Sequence, residues 1–379
     1  MPSTAEQTSE MSHESTDLLT VQLVESRLDD ATRRQRMLSP KFGTVFAEHT
    51  AEMRWTQPDG WSVAAIKPFG PIELSPASSV LHYGQSIFEG FKAYRWADGS
   101  IHTFRPYSNA RRMSRSARRL AMPELPIERF IHLVDELIRV DQEWVPDADE
   151  HSLYVRPLMF ATQACLGVKP SNEYLLMIML APVGSYFASG IKPVTVWLAQ
   201  DYIRAAPGGT GAAKFAGNYA ASLLAQANAI EQGCDQVVWL DAIERRYVEE
   251  MGGMNIVFVY DVGGRPTLVT PALETGTLLP GITRDSLLHM AKDLGYGAEE
   301  RRISIDEWQA GLRDGRITEV FACGTAAVIT PIGTVKSNLG TWTVNGGQMG
   351  PVASRLRTAL MDIQYGRAPD TYSWMHRVK

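Results

Sequence analysis

An unbroken apolar run, Tyr-Leu-Leu-Met-Ile-Met-Leu-Ala, occupies residues 174–181 and closes at Pro182 and Gly184. It is far shorter than the roughly 18–20 residues a membrane helix needs. With no polar alternation, the run predicts a strand inside a sheet that is covered on both faces. Residues 153–162 predict a second strand just ahead of it. A chain built this way must lay other elements above and below a sheet.

Upstream, residues 61–69 predict a strand, and Phe-Lys-Ala-Tyr-Arg-Trp and Ile-His-Thr-Phe predict a hairpin across Ala97-Asp98-Gly99-Ser100. Asp-Gly between apolar runs is a strong turn signal. Residues 109–121 predict a helix that stops before Pro123. Residues 127–144 predict another, with Phe130, Leu133, Leu137 and Val140 at helical spacing. Residues 1–20 are rich in Ser, Thr and Glu, and too little apolar surface is present to offset ordering; they predict a disordered tail. Beyond residue 190 the texture changes. Short strands at 194–199, 236–240, 255–260 and 319–322 alternate with helices at 219–231, 283–294, 305–312 and 352–365. The reading is two mixed α/β domains, at 21–187 and 201–379, joined by a segment at 188–200.

Lys and Arg total 37 against 42 Asp and Glu, a net charge of −5. That balance argues against bulk nucleic-acid binding, which rests on neutralising phosphates. The basic run Arg111, Arg112, Arg115, Arg118 and Arg119 spreads round a helix instead of forming a stripe, and reads as a solvated face. The three cysteines, Cys165, Cys234 and Cys323, lie far apart and suggest neither a disulfide framework nor a zinc site. The histidines lack ligand spacing, so no metal is expected. Polar, acidic residues open the chain without a secretory pattern. The expectation is a cytoplasmic protein that engages no membrane.

Gly208-Gly209-Thr210-Gly211-Ala212-Ala213-Lys214-Phe215 is rich in glycine, yet it lacks the Gly-Lys-Ser/Thr of a phosphate loop and the third glycine of a dinucleotide fingerprint. What stands out is Lys214. Small residues flank it and let a planar ligand approach closely. A desolvated lysine becomes a nucleophilic amine able to form a Schiff base. A lysine snorkelling from a turn edge is the alternative. Glu249 and Glu250 follow on one strand, where alternation points them to opposite faces, so one of them needs a positive partner if it faces inward. Two surface acids at a strand end is the other reading. The Pro280-Gly281 turn runs into a helix whose first amides, near Ile282 and Thr283, suit an anion. Gly324-Thr325-Ala326 offers further amides and a hydroxyl.

Together these pieces resemble the branched-chain amino-acid aminotransferases, pyridoxal-phosphate enzymes of fold type IV, and the actinobacterial members most closely. The resemblance runs from about Phe42 to the C-terminus. It rests on Leu81-His82-Tyr83, Phe88-Glu89-Gly90-Phe91-Lys92, Phe104-Arg105, Leu153-Tyr154-Val155-Arg156-Pro157, Gly217-Asn218-Tyr219, Glu250-Met251-Gly252-Gly253-Met254-Asn255, Leu279-Pro280-Gly281-Ile282-Thr283-Arg284 and Gly324-Thr325-Ala326. It implies a smaller N-terminal α/β domain and a larger C-terminal α/β domain built on a pseudo-barrel. It also implies pyridoxal 5′-phosphate as cofactor, with Lys214 as the lysine that bonds it and shuttles the proton. By the same resemblance Glu250 meets the pyridine nitrogen, where a carboxylate keeps the ring protonated. Tyr219 meets the ring oxygen, and Arg105, Ile282, Thr283 and Thr325 form the phosphate cup. Phe42, Tyr83, Phe88 and Tyr186 resemble the walls for a branched side chain, and Tyr154 and Arg156 its polar end. Thr325 and Ala326 resemble the α-carboxylate site. Leu166 and Val168 match a loop reaching a neighbouring subunit, which implies a homodimer.

The implied activity is amino-group transfer between leucine, isoleucine or valine and 2-oxoglutarate. Same-fold alternatives are D-amino-acid transamination and aminodeoxychorismate lyase chemistry; a non-catalytic nucleic-acid-binding protein built on the Arg111–Arg119 helix is the reading from another class. Two departures stand out. Ala327 and Thr330 replace the redox-active Cys-x-x-Cys of mammalian members, and Gly253 stands where those place a threonine.

Overall fold

The computed structural model describes residues 19–184 and 191–378. Among the described residues the strands form two sheets, of ten and nine strands. The apolar run lies in strand Glu173–Val183, bonded antiparallel to His49–Thr56 on one edge and Ser152–Ala161 on the other. Both of its faces are buried. Tyr174, Leu176, Ile178 and Leu180 pack in one core with Phe130, Leu133 and Leu137 of helix Ile127–Val140. Leu175 and Met177 pack with Phe160 and Leu74 on the reverse face. The pleat separates the two sets because successive side chains point to opposite faces.

Strand His49–Thr56 escapes pattern reading because its buried positions include polar residues, each with a partner. His49 is fully buried, with Nδ1 at 2.7 Å from Asp141 Oδ1 and Nε2 accepting the Val24 amide at 3.0 Å. An amide can only donate, so the imidazole proton sits on Nδ1, facing the carboxylate. Glu52 pairs with Lys67 at 2.7 Å.

The second sheet closes on itself. Val248–Met251, Gln236–Leu240, Val194–Leu198, Val328–Ser337, Ile317–Gly324 and Met254–Val262 pair in that order, and the last returns to the first. The core of this barrel-like ring holds Val196, Leu198, Val238, Ile256, Phe258 and Ile332. Strands Arg265–Thr270 and Gly297–Glu300 extend one edge. The fold is the mixed α/β pseudo-barrel architecture that the resemblance implied.

Several boundaries differ from those the sequence suggests. Leu19–Val21 pairs parallel with Ala64–Pro68, so main-chain bonds order residues that composition assigned to the tail; residues 1–18 lie outside the described residues. The strand expected at 194–199 is present as Val194–Leu198, between Gln236–Leu240 and Val328–Ser337, so the second sheet begins within the segment 188–200. The helix expected at 219–231 divides into Ala216–Ala220 and Leu223–Glu231, where the Ser222 hydroxyl donates to the Tyr219 carbonyl and competes with the helix ladder. The far C-terminus leaves the second unit: Met375–Arg377 pairs with Ile101–Phe104 of the first sheet, and His376 meets Asp135 at 2.8 Å.

Candidate active site

A cleft of about 210 Å³ takes its walls from both sheets. Lys214 enters it from the glycine-rich loop. Its backbone is tied to helix Pro106–Arg119 and to the first sheet, the amide donating to Ser116 Oγ at 2.9 Å and the carbonyl accepting the Phe88 amide at 3.1 Å. With the backbone fixed, Nζ points inward and lies 3.0 Å from the Tyr219 hydroxyl and 4.9 Å from the centre of the Phe88 ring. That orientation excludes the snorkelling alternative. The loop needs its small residues: a Cβ on Gly211 would lie 2.1 Å from the Thr277 carbonyl oxygen. Asn218 Nδ2 closes the turn by donating to the carbonyls of Thr210 and Ala213.

Glu249 and Glu250 do point to opposite sides of strand Val248–Met251, and both are buried, so neither is a surface acid. Glu250 lines the cleft. Its Oε1 accepts the Leu279 amide at 2.9 Å and Asn255 Nδ2 at 3.2 Å, and its Oε2 lies 3.0 Å from Arg204 Nε. Burial pushes the Glu250 carboxyl above the usual range, while Arg204 and the Leu279 amide pull against it. Glu249 instead accepts the Thr277 hydroxyl at 2.6 Å. Burial is the largest influence on it and raises it to about 7.

Ile282 and Thr283 open helix Ile282–Asp293 behind Gly281, an N-cap with no side-chain bond, so the first amides keep their donor capacity at the positive end of the helix. Gly281 is obligatory, since a Cβ there would lie 1.8 Å from Asn255 Oδ1. Ile282, Thr283, Thr325 and Ala326 all line the cleft. Arg105 is placed differently from the other cup residues: it flanks the first turn of that helix, with Nη1 at 2.7 Å from both Asp285 Oδ2 and Ser286 Oγ, and does not line the cleft.

Phe42, Phe88, Tyr154 and Arg156 share the opposite wall. Tyr154 and Arg156, two apart on one strand, share a face; Arg156 Nη2 donates to the Tyr154 hydroxyl at 3.1 Å, and its guanidinium lies 4.9 Å from the Phe88 ring centre. Gly90 makes room for that hydroxyl, which stands 1.8 Å from where a Cβ would be. Tyr83, Leu166 and Val168 do not line the cleft of their own chain. The Tyr83 hydroxyl donates to the Leu166 carbonyl, and Leu166 and Val168 are 63% and 83% exposed. Tyr186 lies outside the described residues.

Two arginines belong to the site without having been read as site residues in the sequence. Arg204 holds Glu250, and nothing local marks it. Arg112 corrects the reading of the basic run as a solvated face: it is buried in the cleft wall, bonds Glu89 through Nε at 2.7 Å and Nη2 at 2.8 Å, and donates to the Pro280 carbonyl at 3.1 Å. This bidentate pair fixes the helix carrying Arg112 against the Pro280-Gly281 turn. Arg112→Met is expected to lower unfolding free energy by about 3–5 kcal/mol, because it strands a buried carboxylate. Adding Glu89→Gln should recover much of the loss in denaturant melts.

Residues 86–335 match the family described as amino-transferase class IV. The chain belongs to that family. Over 350 residues, covering 92% of this chain and 95% of the relative, it is 59% identical to the branched-chain-amino-acid aminotransferase of Mycolicibacterium smegmatis. It is 46% identical to branched-chain-amino-acid transaminase 1 of Bacillus subtilis, across 88% of this chain and 92% of that one. Among solved structures, the Escherichia coli branched-chain amino acid aminotransferase aligns with a TM-score of 0.71 and 28% identity, over 88% of this chain and all of that one. The branched-chain amino acid aminotransferase of Thermoproteus uzoniensis, solved with norvaline, aligns with a TM-score of 0.69 and 26% identity, over 87% of this chain and all of its own. A further branched-chain amino acid aminotransferase, solved with pyridoxamine 5′-phosphate, aligns with a TM-score of 0.71 and 31% identity over 88% of this chain and all of that one. Within class IV, the chain is a member of the branched-chain-amino-acid aminotransferase family.

Proposed function

We propose that this protein moves the amino group between leucine, isoleucine or valine and 2-oxoglutarate, with pyridoxal 5′-phosphate held in the cleft, as a cytoplasmic homodimer. The observation that carries the reading is the Lys214 amine, bonded to Tyr219, in one cleft with the buried Glu250 carboxylate and the uncapped start of helix Ile282–Asp293. These residues fit the cofactor. An amine, an acid and the amides of a helix start line one space, and Gly281 lets that helix start lie against Asn255, where a Cβ would not fit. When bound, pyridoxal phosphate supplies a carbonyl carbon and an electron-accepting ring.

The chain's own residues then have separable tasks. Lys214 Nζ, 3.0 Å from the Tyr219 hydroxyl, would hold the cofactor and serve as the base that takes up a proton and returns it. Tyr219 donates or accepts at its hydroxyl and orients that amine. Glu250 presents its carboxyl group at the cleft floor, held by Arg204, Asn255 and the Leu279 amide. Phe42 and Phe88 exclude water around a branched side chain, while Arg156 offers a fixed cation to the distal carboxylate of glutamate. Exposed Leu166 and Val168, braced by Tyr83, supply apolar surface for a second subunit.

Because the amino group is handed on in two half-reactions in one cleft, with the first 2-oxo acid leaving before 2-oxoglutarate enters, initial rates with leucine varied at several 2-oxoglutarate concentrations should give parallel double-reciprocal lines. Intersecting lines would sink the mechanism, and faster turnover of D-alanine than of L-leucine would sink the substrate assignment.

A further inference from the structure

Lys92 lies on strand Phe91–Arg95, opposite Tyr154, and is 7% exposed. Its Nζ crosses to the second sheet and donates to the Ala326 carbonyl at 2.9 Å. A lysine ammonium is almost never buried to this extent without a task. Burial, and then the neighbouring Arg357 charge, lower it to about 8, against the pull of Glu150. The turn it touches, residues 325–327, joins strands Ile317–Gly324 and Val328–Ser337. Thr325 and Ala326 line the cleft, while Lys92 stands behind them. Val328 closes the turn at φ +63°, a left-handed conformation that a β-branched residue adopts only where its surroundings force it.

We propose that Lys92 is a positioning residue for the α-carboxylate of the substrate: its bond to the Ala326 carbonyl holds the strained 325–327 turn in shape and puts a positive charge behind it. The proposal rests on the reading above, in which Thr325 and Ala326 receive that carboxylate. A carbonyl that accepts from a cation polarises its peptide group, which makes the following Ala327 N–H a stronger donor. One lysine from the first sheet thus sets both the shape and the potential of a turn that belongs to the second.

The test uses holoenzyme carrying Lys92→Met, which keeps the side-chain length and removes the charge. KM for leucine should rise about tenfold or more, the cost of one charge-assisted bond, while kcat changes by less than about threefold. Colour and cofactor affinity should match wild type. Inhibition by 4-methylvaleric acid should weaken by the same factor as KM. Inhibition by 3-methylbutylamine, which has leucine's branched chain but no carboxylate, should not change. In a Val328→Gly background, where the turn is unstrained, the same Lys92 substitution should cost clearly less. Equal weakening for both inhibitors, a loss confined to kcat, or a loss of cofactor alone would overturn the role. If Lys92→Met does not fold, Lys92→Gln carries the same measurements; if neither folds, the lysine is structural and the proposal fails. Wild type inactive on leucine would instead refute the functional reading, whatever the variants do.

Discussion

Lys214→Ala is expected to bind pyridoxal phosphate yet lose at least about 10²–10⁴-fold in turnover, the range general acid–base catalysis supplies. Among the described residues Lys214 is the one lysine that lines the cleft, and Tyr219 cannot stand in, because it has no free amine. Wild type treated with borohydride should carry the cofactor covalently on the peptide containing Lys214; the variant should not. The backbone bonds of residue 214 to Ser116 and Phe88 do not depend on its side chain, so the fold should persist. A variant that kept wild-type rate would remove Lys214 from the chemistry and leave the cleft without a base.

Lys214 was legible because its singularity is local: small residues on either side of one lysine require close approach whatever the rest of the chain does. The turns that bring Ile282 and Thr325 to the cleft were legible for the same reason, since turn chemistry is written in neighbouring residues. What escaped detection depends on partners far along the chain. Arg112 reads as one of five arginines on a helix; only Glu89, on another element, and the carbonyl of Pro280 bury it. Arg204 has no signature because its meaning lies in Glu250, far along the chain. Lys92 likewise acquires a task only when the two sheets meet. Strand His49–Thr56 fails the alternation test because Asp141 and Lys67 give partners to polar side chains that are buried. Period and turn chemistry therefore reveal elements and loops, while paired buried charge is a tertiary property.

Alternation separated Glu249 from Glu250 without saying which acid mattered, and the structure supplies a consequence for substitution. In Glu250→Gln the side-chain oxygen stays on the Leu279 amide and Asn255, both donors, so the new NH₂ must face Arg204 Nε, which also donates. The arginine loses its carboxylate, yet it keeps bonds to the carbonyls of Gly211 and Thr277 and stays within the field of Glu249. Glu249 is raised to about 7 by burial first, with the Glu250 charge adding to the rise. Removing that charge lowers Glu249, which then ionises more fully at neutral pH and offsets Arg204. The variant should therefore fold and still turn yellow through Lys214. Losing a charge-assisted bond where charge matters costs about 1.5–3 kcal/mol, and each 1.36 kcal/mol is roughly tenfold in rate. Transamination of leucine should fall roughly ten- to hundredfold, whereas Glu249→Gln, which faces Thr277 and not the cleft, should stay within about threefold of wild type. Full activity in Glu250→Gln, with the larger loss in Glu249→Gln, would reverse the two assignments and place the cofactor's nitrogen on the other face of the strand.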